Sequence, residues 1–158
     1  MKALIVDDDE ASCDGMQNTL KAHGVEVDVV CKPRYSEAAA EVCKKLRAIS
    51  GKPDAVDFLI LDLHYKDHFL GGARIYTNVL RQGLRGRFRH IIIPSRYYDE
   101  VDTPQRIATE LFMELAFIPP RNLLPKLAHR DEKLVNLIQI LSVQEEIETG
   151  SFERWRFC

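Results

Sequence analysis

At 158 residues, 46% hydrophobic and 29% charged, the chain is long enough for one domain with a buried core and leaves little room for a second. No apolar run approaches the roughly 20 residues of a membrane span, and Met1-Lys2 leads straight into a strand-like run without a secretory leader, so a cytoplasmic protein is expected. Its 22 basic and 24 acidic side chains give a net charge of −2, which argues against a general nucleic-acid binder. The acidic excess lies early, with 9 basic against 13 acidic residues in 1–70 and 13 against 11 in 71–158. Cys13, Cys31, Cys43 and Cys158 form no CxxC pair and read as reduced thiols.

In chain order, residues 2–6 are a short apolar run that suits a strand buried on both faces. Cys13, Met16 and Leu20 recur at helical spacing, and Gly24 closes that helix. VEVDVV (25–30) alternates as a second strand, and SEAAAEVCKKLRAIS predicts a helix with Ser36 as N-cap. DFLILDL (57–63) and HIIIPS (90–95) are the third and fourth strands, with helices expected over 73–82 and 104–115. A short fifth strand is expected near 115–118, stopped by Pro119-Pro120. Arg81, Arg85, Arg87 and Arg89 crowd a glycine-containing connection, read as a solvated loop ahead of an anion- or RNA-contacting one. The last helix carries Leu134, Val135, Leu137, Ile138, Ile140 and Leu141, more apolar positions than one buried face requires, so part of it is expected to meet a second copy or another protein.

Strands alternating with helices imply right-handed crossovers and a parallel sheet covered on both faces. Ligands of such sheets gather at the carboxyl ends of the strands. Asp7, Asp8 and Asp9 follow the first strand, Asp62 ends the third and Ser95 ends the fourth. Carboxylates converging at one sheet edge repel one another unless a cation sits among them. Mg2+, which takes hard oxygen ligands and bridges to phosphoryl oxygens, suits such a site. With the cation in place one carboxylate can act as nucleophile toward phosphorus, and the Ser95 hydroxyl can contact a phosphoryl oxygen. Asp9 and Glu10 are expected to serve the following helix through its dipole, and His64 and His68 to be loop residues.

LIVDDDE, FLILDL and IIIPSR, in that order and at those strand ends, resemble the CheY-like receiver domain of bacterial two-component response regulators over residues 1–147, which leaves 148–158 as a short tail. The resemblance implies a flavodoxin-like (βα)5 doubly wound parallel sheet, standing alone without an output domain. It places Mg2+ on Asp7, Asp8, Asp62 and the backbone carbonyl of His64. It makes Asp62 the acceptor of a phosphoryl group from a histidine kinase or phosphotransfer protein, Ser95 a phosphoryl contact, and a downstream protein target the route of output. The chain then reads as a phosphoacceptor signalling protein and not an enzyme.

The departures are specific. HYKDHFLGG replaces the family's Met-Pro turn after the phosphoacceptor, and Pro94 removes an N–H from the fourth strand. AFIPPRN puts Ile118 before Pro119 where the family has Lys-Pro after its fifth strand, leaving Arg96 or Arg121 to replace that lysine, and a phosphorylation weakly coupled to conformational change is expected. Two other readings compete with this one. A receiver-like adaptor would use the fold without phosphotransfer. A phosphohydrolase of the haloacid dehalogenase type wants DxDx[TV], which neither VDDDE nor LDLHY supplies.

Overall fold

The computed structural model describes residues 1–49, 56–68, 70–95, 123–125 and 130–155. The elements run β1 (Lys2–Asp7), α1 (Glu10–Ala22), β2 (Glu26–Cys31), α2 (Tyr35–Ala48), β3 (Val56–Leu61), α3 (Gly71–Arg81), β4 (Phe88–Ser95), β5 (Leu123–Pro125) and α4 (Arg130–Trp155). The strands form one parallel sheet in the order β2-β1-β3-β4-β5, parallel as the alternation predicted and flavodoxin-like as the resemblance implied. Among the described residues no helix is long and apolar enough to cross a membrane.

Two apolar layers cover the sheet, and period-two alternation assigns each strand residue to one of them. Leu4, Val6, Leu59, Leu61, Ile91 and Ile93 pack with α2 and α3, whereas Ala3, Ile5, Phe58, Ile60 and Ile92 pack with α1 and α4. That is why Ala3 to Val6 form an unbroken apolar run: both faces of β1 are dry. Gly24 takes φ +75°, and the amides of Gly24 and Val25 return to the carbonyls of Lys21 and Leu20 at 3.0 and 3.1 Å, closing α1 as predicted.

The structure changes four details of the sequence reading. Helix α2 begins at Tyr35, one residue before Ser36, and its first amide is taken by the Asp67 carboxylate of the β3–α3 loop at 3.3 Å, so a cap from across the fold replaces the predicted local one. The segments 104–115 and 115–118, predicted as helix and strand, lie outside the described residues, and the strand that flanks β4 is Leu123–Pro125. Helix α4 runs to Trp155, through the segment read as a tail from 148. On α4, Leu137 is buried with Leu134, Ile138 and Leu141, and Ile140 and Val143 are the exposed apolar positions.

Pro94 costs the sheet little on one side, because β4 pairs with β3 only as far as Ile92 and with β5 from Ile93 to Ser95. The arginines of the α3–β4 connection have structural occupations: Arg85 bonds the Phe88 carbonyl at 2.8 Å and lies over its ring, Arg87 bonds the Ile49 carbonyl at 3.2 Å, and Arg89 pairs with Asp57 at 3.6 Å. They sit by the start of β4, at the end of the sheet opposite the strand-end carboxylates.

Helix α3 starts hard against the end of β3. A Cβ at Gly72 would overlap the Asp62 carbonyl oxygen and lie 2.8 Å from the Leu63 Cα, both of them backbone that cannot move aside. Gly72→Ala is therefore expected to destabilise the fold by about 3 kcal/mol or more in urea melts, whereas Gly86→Ala, whose Cβ meets nothing within 4 Å, should stay within about 0.5 kcal/mol of wild type. Equal midpoints for the two variants would refute this packing.

Candidate functional site

In the strand order found here, β1 and β3 are neighbours, and the chain leaves β1 toward β2 on one side and returns to β3 on the other. The crevice at such a reversal is where open α/β sheets bind ligands. Asp7 is the last residue of β1, Asp8 follows it, and Asp62 is the first residue past β3. The Asp62 amide donates to the Val6 carbonyl at 2.8 Å, which brings the two strand ends level. One carboxylate oxygen from each of Asp7, Asp8 and Asp62 lies within 4.8 Å of the others. All three residues are buried, Asp7 at 0%, Asp8 at 8% and Asp62 at 1% exposure. Among the described residues this is the group of side chains placed to hold a metal ion.

Asp7 and Asp8 are each held by a bond from another element. Asp7 Oδ1 accepts the Asp9 amide at 2.9 Å, and Asp7 Oδ2 accepts the Ser12 hydroxyl at 2.8 Å. Asp8 Oδ2 accepts the Lys66 amide of the β3–α3 loop at 2.7 Å, and Asp62 Oδ1 lies 3.4 Å from the His64 amide, long for a hydrogen bond. Asp9 itself caps α1, accepting the Ala11 amide at 3.2 Å, and Glu10 stands in the first turn, the helix-terminal roles the sequence suggested. Among the described groups of the β3–α3 loop, His68 Nδ1 accepts the Leu70 amide at 3.1 Å and its ring meets the edge of Tyr35, so His68 is a structural loop residue.

Three buried carboxylates at this spacing offer the hard oxygens that divalent cations such as Mg2+ take, so the residues present fit such an ion. Tyr65, three residues after Asp62, has a buried hydroxyl with no hydrogen-bond partner among the described residues. Burial first, and then the charges of Asp7, Asp62 and Asp8, push that hydroxyl far above the ordinary tyrosine range.

Of the other predicted site residues, Ser95 ends β4 level with Pro125 of β5. Arg96 and Arg121 lie outside the described residues. Because β5 is Leu123–Pro125, the strand that flanks β4 is not the one expected at 115–118, and the residue that follows it in the sequence is Lys126. The order is Pro-Lys here instead of Lys-Pro, and the placement of Lys126 itself lies outside the described residues. Sequence reasoning also missed Ser12, Tyr65 and Arg130. A buried serine beside the Cys13-Met16-Leu20 stripe was the available signal for the first, whereas the third is 118 residues from its partner.

No protein-family model matches the chain, and no curated protein matches it. Solved structures do. The chemotaxis protein CheY4 of Vibrio cholerae aligns at 20% identity and a TM-score of 0.61, over 87% of this chain and 95% of that one. The receiver domain of the Francisella response regulator 1452 aligns at 15% identity and 0.57, over 90% and 98%. The HemR receiver domain of Leptospira biflexa aligns at 20% and 0.56, over 89% and 94%. The chain has the fold of CheY-like receiver domains across most of its length.

The orphaned Tyr65 hydroxyl gives a direct check on this geometry. A buried donor without a partner is a net cost, so Tyr65→Phe in metal-free buffer is expected to raise unfolding stability by about 1 kcal/mol. Because the hydroxyl titrates higher folded than unfolded, its contribution is present below about pH 10 and lost as pH rises above that, so Tyr65→Phe should also flatten the alkaline fall in stability. A destabilised variant with an unchanged alkaline limb would show that the hydroxyl is satisfied.

Proposed function

We propose that the chain is a response-regulator receiver that accepts a phosphoryl group on Asp62 with Mg2+ bound and signals through protein contacts. The observation that supports this most is the convergence of Asp7, Asp8 and Asp62, buried and within 4.8 Å, at the reversal point of a receiver fold. Asp7, Asp8, Asp62 and the His64 backbone carbonyl would hold the ion. When bound, it neutralises charge on the cluster and on the phosphoryl oxygens.

The chain's own groups then have distinct tasks. The Lys66 amide holds Asp8 and the Ser12 hydroxyl holds Asp7, and Asp62 is the proposed nucleophile. An Asp62 oxygen attacks the phosphorus of a donor phosphohistidine on a kinase or phosphotransfer protein. The P–O bond to Asp62 forms as the donor's P–N bond breaks, and that electron pair stays on the imidazole. Ser95, at the end of β4, is the group proposed to contact the phosphoryl oxygens. A downstream protein or a second copy would find Ile140 and Val143 exposed on α4.

Incubation with phosphoramidate and Mg2+, read by intact-protein mass, should add one phosphoryl group to wild type and none to Asp62→Asn or to wild type in chelator. Asp8→Ala should weaken Mg2+ binding by more than the roughly 10–100-fold typical of losing an outer-shell partner. Mg2+ binding without any phosphoryl uptake would leave the adaptor reading in its place.

Ile140→Glu should weaken any concentration-dependent association seen by sedimentation while leaving the urea midpoint within about 0.5 kcal/mol of wild type, as expected of an exposed site. Unfolding by that change would mean Ile140 is core.

A further inference from the structure

The first residue of α4 reaches the acidic cluster. Arg130 Nη1 donates to Ser12 Oγ at 2.9 Å, and Ser12 Oγ donates to Asp7 Oδ2 at 2.8 Å. A serine hydroxyl has one proton. Accepting from the guanidinium leaves that proton for Asp7 and polarises it, so the two bonds strengthen each other. Arg130 is mostly buried and is itself fixed: its Nε pairs with Asp131 Oδ1 at 2.6 Å, and Asp131 Oδ2 accepts the Thr19 hydroxyl of α1 at 3.1 Å. Gly15 makes room for this. A Cβ there would lie 2.9 Å from Arg130 Nη2 and 3.9 Å from Asp131 Oδ2. The network thus runs from a carboxylate at the end of β1, across α1, to the start of a helix 118 residues away.

We infer that Arg130 is a positioning residue for the cation site, acting on Asp7 through Ser12, so that docking of the start of α4 on α1 and cation binding at Asp7, Asp8 and Asp62 are coupled. This rests on the proposed metal site. A metal ligand held by an outer hydrogen-bond partner is oriented more narrowly than one without it. Coupling of this kind is reciprocal: the ion favours the docked α4, and the docked α4 favours the ion.

The sign of one effect separates positioning from simple charge. Arg130 stands one hydroxyl from the cluster, and a cation so placed repels Mg2+, so removing its charge alone would tighten binding. Positioning predicts the opposite. Gly15→Ala adds a second separation, because alanine in a helix interior favours folding by about 1 kcal/mol over glycine while its methyl group displaces the guanidinium.

The experiment is Mg2+ titration of the full-length chain by calorimetry and amide NMR, with urea melts of every variant. Ser12→Ala, Arg130→Gln and Gly15→Ala should each bind Mg2+ roughly tenfold more weakly than wild type, with Gly15→Ala no less stable. The double variant Ser12→Ala/Arg130→Gln should be no weaker than Ser12→Ala, and Arg130→Lys should recover part of the affinity. In wild type, Mg2+ should also shift the amides of Arg130 and Asp131, and in Ser12→Ala those shifts should vanish. Binding as tight as or tighter than wild type in Arg130→Gln or Gly15→Ala overturns the inference and leaves the metal site standing. A wild type that binds no Mg2+ overturns the metal site and the inference together.

Discussion

Three carboxylates held within 4.8 Å of one another and almost out of water are the constraint to which the rest of this structure answers. Like charges at that spacing in a poorly hydrated place repel strongly, and they persist only where donors and positive charge surround them. The donors come from three separate segments: the turn into α1 supplies the Asp9 amide, α1 supplies Ser12, and the β3–α3 loop supplies the Lys66 amide. The start of α1 adds the positive end of its dipole. Each donor also fixes the backbone that carries it, so the geometry of the cluster and the path of the chain around it are the same fact.

The sheet order makes this meeting possible. With β2 outside β1, the strand that lies beside β1 on its other edge is β3, and a single amide-to-carbonyl bond from Asp62 to Val6 sets their ends level. Gly72 then lets α3 begin in contact with the backbone of Asp62, which no side chain at that position would permit. From the loop between them the Lys66 amide reaches Asp8.

The two covering layers are unlike. On the α2 and α3 side Ala38, Val42, Leu46, Ile75 and Val79 cluster with Leu4, Val6, Leu59 and Leu61, Tyr76 meets the Phe88 ring, and an ion pair, Lys45 with Asp28, lies away from the carboxylate end of the sheet. On the other side α1 and α4 share an apolar seam of Met16, Leu20, Leu134 and Ile138, but above it run Ser12, Arg130, Asp131 and Thr19. Apolar packing holds helices together without prescribing the state of a distant carboxylate. A chain of directional bonds does prescribe it, which is why α4 is the layer through which the cluster can be felt elsewhere in the fold.

By itself the sequence determined the alternation of strands and helices, the two-sided burial of Ala3 to Val6, the glycine that ends α1, and the grouping of Asp7, Asp8 and Asp62 at strand ends. All of these are local patterns of period 2 or 3.6, or follow from the rule that parallel strands present their carboxyl ends together. Tertiary structure alone decided where β5 lies, since a strand of three residues offers a single alternation, and the Pro119-Pro120 stop drew attention to a segment eight residues too early. It decided that Asp67, from another loop, caps α2 in place of Ser36. It decided that Arg130 serves Asp7 through Ser12, because a bond between residues 118 apart leaves no periodic trace in the chain and exists only once α4 has docked on α1.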